Sequence, residues 1–94
     1  MREKTVEQKL VKEVKKHGGI APKFVSPGYD GMPDRLILFP GGRLAFAEVK
    51  APGEKPRPLQ IARIERLRDF GFKVYVIDGE QGIREMIEEM EVSP

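Results

Sequence analysis

Two short apolar runs, Asp34-Arg35-Leu36-Ile37-Leu38-Phe39 and Arg43-Leu44-Ala45-Phe46-Ala47-Glu48-Val49-Lys50, flank Pro40-Gly41-Gly42, and the pattern reads as a β-hairpin. The first run is apolar at both parities, which places such strands in the middle of a sheet covered on both faces. A turn centred on Gly41 or Gly42 sets Asp34 across from Glu48 or its immediate neighbour. Like charges opposed across a ladder are unfavourable. Two carboxylates roughly 5 Å apart, at an effective dielectric of about 20, repel by about 3 kcal/mol. Strand side chains alternate, so Glu48 and Lys50 share a face and the lysine offsets part of that repulsion. A divalent cation held by the two acids would supply the rest.

The composition narrows which cation. The chain has 94 residues, no cysteine and one histidine, His17, so thiolate zinc sites, disulfides and multi-histidine centres are excluded. Any metal must be held by oxygen, which points to magnesium, manganese or calcium. The length suits a single domain over residues 1–94. Met1-Arg2-Glu3-Lys4-Thr5 is charged, and no apolar run approaches the roughly 20 residues needed to span a bilayer. The expectation is a soluble cytoplasmic chain without a membrane partner. A net charge of +2 permits a nucleic-acid partner without arguing for one.

Around the hairpin the periodicity changes. Thr5-Val6-Glu7-Gln8 resembles a capping box, and Val6, Leu10, Val11 and Val14 recur at helical spacing, so a helix is predicted from about Thr5 to His17, ended by Gly18-Gly19. Lys23-Phe24-Val25 predicts a short strand, and Ser26 to Pro33 a loop that delivers the chain to Asp34. Ala51 to Pro58 is a basic, proline-rich loop expected to be mobile or ordered by a ligand. Leu59, Ala62, Leu67 and Phe70, with Ile61 and Ile64, mark a second helix closed by Gly71. Lys73 to Ile77 reads as a strand completing a right-handed parallel crossover. Asp78-Gly79 then turns into a last amphipathic helix through Ile83, Met86, Ile87 and Met90. The expected fold is α/β, a mixed four-stranded sheet flanked by helices.

Pro33-Asp34, fourteen residues before Glu48-Val49-Lys50, resembles the motif of the PD-(D/E)xK nuclease superfamily. The closer resemblance is to its VRR-NUC group, the virus-type replication-repair nucleases. That pattern also includes a helix-one glutamate, a glycine before the Pro-Asp pair and a glutamine after the lysine, places taken here by Glu7, Gly31 and Gln60. Singly these signals are weak; five in order, around a hairpin, are specific. The likeness runs from Glu7 to about Ile77 and implies a restriction-endonuclease-like αβββαβ core, here with an extra C-terminal helix. It also implies a metal-dependent endonuclease acting on DNA, with branched or junction DNA as the substrate suggested by repair-type relatives. If a phage encodes the chain, the host cytoplasm is its location.

The residues support that chemistry independently. Phosphodiester hydrolysis needs an activated water and stabilised charge on the phosphate, and a carboxylate-bound Mg2+ or Mn2+ can supply both. Asp34 and Glu48 are the natural ligands, joined by a backbone carbonyl such as that of Val49. Lys50 could orient the water, act as its base if its pKa is depressed, or hold the phosphate. A cross-strand salt bridge is the plain alternative for this cluster, yet an ion pair needs only one acid. The resemblance adds Glu7 as an extra metal or water ligand and Gln60 as a site residue near Lys50.

Lys55 and Arg57 are candidate phosphate contacts beside the site. Arg35 is a weaker candidate because it should face away from Asp34, and Tyr29 a weak substrate contact from the loop. Asp30 is explained equally by turn formation, His17 by a helix C-terminus, and Arg63, Arg66 and Arg68 by the exposed side of their helix. Cutting two strands in concert from so small a domain would need a symmetric homodimer. The competing reading is a non-catalytic nucleic-acid-binding or adaptor module. An RNA-processing nuclease is more remote, since the seven aromatics are scattered and form no obvious stacking platform.

Overall fold

A computed structural model describes residues 1–92; residues 93 and 94, the end of the expected 1–94 domain, lie outside the described residues. The chain runs α1 (Glu3–Lys16), β1 (Arg35–Phe39), β2 (Arg43–Val49), α2 (Pro58–Asp69), β3 (Lys73–Ile77) and α3 (Glu80–Val92). Val6, Leu10 and Val14, one helical turn apart, are fully buried on one stripe of α1. The helix starts before the expected capping box. Arg2 is the N-cap and makes no side-chain cap, while Glu3 puts a negative charge at the positive helix end. Its far end closes as a Schellman motif: Gly18, at φ +86°, donates to the Lys15 carbonyl and Gly19 to that of Val14.

The sheet has three strands, not the four expected. β1 and β2 pair antiparallel with Arg35 opposite Ala47, and β2 and β3 pair parallel with Glu48 opposite Val76. The segment read as an additional strand does lie along β1. Ile20 and Leu38 exchange both backbone hydrogen bonds, the Leu36 N–H donates to the Pro22 carbonyl, and the Phe24 N–H to that of Asp34. Pro22 has no N–H to return to Leu36, so the ladder breaks into two isolated bridges, Ile20 with Leu38 and Lys23 with Arg35.

Alternation along the strands builds a three-layer molecule. Ile37, Phe39, Ala45, Ala47 and Val49 face α1 and α3, whose Leu10, Ile83, Met86 and Met90 complete the larger core. Phe46 and Val74 face α2 and pack with Ile64 and Leu67 in the smaller one. Phe46 anchors that side through edge-to-face contacts with Phe24 and Phe72, at 5.7 and 5.8 Å between ring centroids. Burying each such side chain contributes roughly 1.5–3 kcal/mol. On β2 the acid at position 48 therefore interrupts an apolar face under α2. No helix among the described residues is long and apolar enough to cross a membrane.

Candidate active site

Asp34 sits at the entrance to β1. Pro33 before it is almost fully buried, and a proline brings no N–H that such a position must satisfy. Continuing the β1–β2 register by one step sets Asp34 across from Glu48, as the hairpin implies. Asp34 Oδ1 accepts the Val49 N–H at 3.2 Å. An extended residue points its N–H and C=O to the same edge, so the Val49 carbonyl is directed toward Asp34 as well.

Glu48 is 3% exposed, and its two oxygens differ sharply in surroundings. Oε2 accepts Gln60 Nε2 at 2.9 Å and lies 3.3 Å from Lys50 Nζ. Gln60 cannot be turned the other way, because its Oε1 accepts the Arg57 backbone N–H at 2.8 Å and an N–H can only donate. The N-terminus of α2 thus fixes the Gln60 amide, which fixes the Glu48 carboxylate. Oε1 is buried without a hydrogen-bond partner. A bare buried carboxylate oxygen is costly unless something positive meets it.

Electrostatics agree. Burial first, and then the neighbouring charge of Asp34, raise the pKa of Glu48 above its ordinary value, with Lys50 opposing. Burial also raises that of Asp34; the Val49 N–H opposes it, while Glu7 and Glu3 add to it. Two carboxyl groups crowded by further negative charge, one with an orphaned oxygen, fit a hard divalent cation on Asp34, Glu48 and the Val49 carbonyl. Among the described residues no third carboxylate or histidine completes a ligand cluster.

Glu7, whose charge adds to the raised pKa of Asp34, is paired with Arg35. Arg35 Nη2 is 3.1 Å from Glu7 Oε2, and its Nη1 donates to the Ala21 carbonyl at 2.8 Å. With its side chain only 11% exposed, Arg35 is held inside the scaffold, and its geometry does not direct it toward a substrate beside Asp34. Lys55 and Arg57 are exposed on the loop before α2. That loop is tied to the end of β3 by its Gly53 N–H, which donates to Asp78 Oδ2 at 3.1 Å. Glu3, one turn before Glu7, is a contributor that was not singled out from sequence; the i, i+4 spacing of the two glutamates was its signal.

Gly31 adapts the loop to α2. It sits at φ +88°, and a Cβ there would lie 2.8 Å from Leu59 Cγ and 3.2 Å from Arg63 Cγ. Gly31→Ala should cost about 2 kcal/mol through backbone strain and this collision. Urea unfolding would measure it, and a loss below a few tenths would show that the loop relaxes freely.

A model of the VRR-NUC domain matches residues 7–81, the span that holds Asp34, Glu48, Lys50 and Gln60. The chain belongs to the VRR-NUC family. It is 52% identical over 80 residues to "Putative nuclease p44" of Acyrthosiphon pisum secondary endosymbiont phage 1, covering 85% of this chain and 86% of that protein. A solved VRR_NUC domain superposes with a TM-score of 0.84 at 31% identity, covering 92% of this chain and 94% of the other. The VRR-NUC match ends at residue 81, one residue into α3 (Glu80–Val92). An open groove of about 490 Å³ between α1 and α3, lined by Lys9, His17, Glu80 and Arg84 among others, includes none of Asp34, Glu48, Lys50 and Gln60. His17 faces that groove and pairs with Glu91 at 2.6 Å, away from the acids.

Proposed function

We propose that this VRR-NUC domain is an Mg2+- or Mn2+-dependent endonuclease that hydrolyses phosphodiester bonds in DNA, with preference for branched or junction DNA. The observation that carries the reading is the divided carboxylate of Glu48, one oxygen held by Gln60 and Lys50, the other buried and bare on a residue that feels the charge of Asp34. A pure binding module has no use for such an arrangement, because an anionic backbone would be repelled by it. Asp34, Glu48 Oε1 and the Val49 carbonyl would hold the cation, which when bound supplies water activation and charge neutralisation at the phosphate. Lys50, an ammonium paired with Glu48, donates to a phosphate oxygen. Gln60 keeps the Glu48 carboxylate from rotating. Glu7 joins the site as a further ligand only if it releases Arg35.

The test is cleavage of supercoiled plasmid, linear duplex and a four-way junction with Mg2+, Mn2+ or EDTA. Cutting should need the metal and be fastest on the junction. Cutting that survives EDTA would remove the mechanism; binding without cutting under every metal would favour the adaptor reading. Paired incision further requires two sites, so a homodimer is expected at working concentration. Sedimentation showing a monomer that still makes paired incisions would overturn that part.

A further inference from the structure

The loop that delivers Asp34 also carries Tyr29, whose ring is covered by the Arg63 guanidinium at 3.9 Å from the ring centroid. Arg63 Nε donates to the Asp30 carbonyl at 2.7 Å, so the side chain is fixed at two points. Among the described residues no carboxylate pairs with it, whereas Arg35 has Glu7. Its remaining N–H donors are left for an outside acceptor. Its position is set by the residues that set the site. Gly31 packs directly on Leu59 and Arg63 three residues before Asp34, and Gln60, one turn back along α2, holds Glu48.

From this geometry we infer that Arg63, stacked on Tyr29 and anchored to Asp30, is a substrate-positioning residue that binds a backbone phosphate of the DNA strand beside the scissile bond. The inference rests on the nuclease reading and deepens it. A long cation loses side-chain entropy when it grips a phosphate, and a guanidinium already held flat against a ring loses less. Phosphate contacts of this kind set where a duplex lies rather than which bases it carries. The effect should therefore be independent of sequence and sensitive to salt.

The test measures binding of a labelled linear duplex in EDTA by the uncleaving Asp34→Asn protein, alone and combined with Arg63→Gln or Tyr29→Ala, across a salt series. Arg63→Gln should weaken binding roughly tenfold, as expected for one charge-assisted hydrogen bond, and lower the slope of log K against log salt by about 0.9. Tyr29→Ala keeps the charge and should preserve the slope while weakening binding severalfold. Circular dichroism on each variant separates these effects from misfolding, and a merely structural Arg63 would leave the slope unmoved. An unchanged slope and affinity in Arg63→Gln would overturn the inference and leave the nuclease reading intact. Unchanged affinity in Tyr29→Ala would overturn the role of the stack, and no binding by Asp34→Asn itself, either in EDTA or with Ca2+ added, would overturn both.

Discussion

Asp34→Asn should lower DNA cleavage by about three orders of magnitude while leaving the fold intact. The asparagine side-chain oxygen can still accept the Val49 N–H, so local geometry is preserved and only the charge is lost. An oxygen ligand without charge holds magnesium poorly, and the several kcal/mol that a cation contributes to the transition state convert to about 10³ in rate. Lys50→Ala should fall by about 10²- to 10³-fold through a different route, the loss of a positioned donor at the phosphate. The two variants therefore separate under metal titration. Raising Mn2+ should partly restore Asp34→Asn and leave Lys50→Ala where it is. Single-turnover rates that match wild type in either variant would remove that residue from the site.

The second large effect is on stability. Burial raises the pKa of both acids above their ordinary values of 3.8 and 4.5, with the charge of Asp34 adding to the rise at Glu48 and those of Glu7 and Glu3 to the rise at Asp34, so the folded chain binds these protons more tightly than the unfolded chain does. The sign follows from linkage: stability contributed by this pair falls as pH rises from the ordinary values through the raised ones, and the deficit is complete above them. At neutral pH in EDTA, Asp34→Asn should then be more stable than wild type by about 1 kcal/mol, or about 4–8 °C in Tm, after the repulsion is discounted for solvent screening and Lys50. That gap should shrink as pH is lowered toward 4. Divalent cation should reverse the order, since saturation at about 100 times Kd adds about 2.7 kcal/mol to wild type and little to the variant. Thermal melts at several pH values, with Mg2+ or EDTA, read both effects. A wild type that EDTA leaves more stable than Asp34→Asn at neutral pH would show that the acids are already compensated within the chain.

Leu36 to Phe39 and Leu44 to Val49 are legible as paired strands around a Pro-Gly-Gly turn, but a run apolar at both parities leaves Asp34 across from Glu48 or its neighbour; the observed register, which buries Ile37, Ala45 and Ala47, opposes it to Glu48. The candidate acids were legible for the same reason. Pro22 misled the strand count: its neighbours favour an extended chain, which they adopt, but its missing donor divides the ladder. The start of α1 was misplaced because Thr5 looked like a cap that the tertiary structure does not use. Arg63 looked like an ordinary surface residue because the loop that brings Tyr29 and Asp30 to it has no periodicity from which contact could be read.

Sequence by itself determined the hairpin, the parallel crossover partners, the oxygen-only character of any metal site and the pairing of two acids with a lysine, since each follows from local periodicity or from which residue types are present. Only the tertiary structure decided what surrounds the acids. Packing of α2 on β2 brings Gln60 to one oxygen of Glu48 and leaves the other bare, and packing of α1 on the opposite face gives Glu7 to Arg35. Hydrogen-bond partners drawn from elements twelve or more residues apart depend on how layers meet, and no local pattern encodes that meeting.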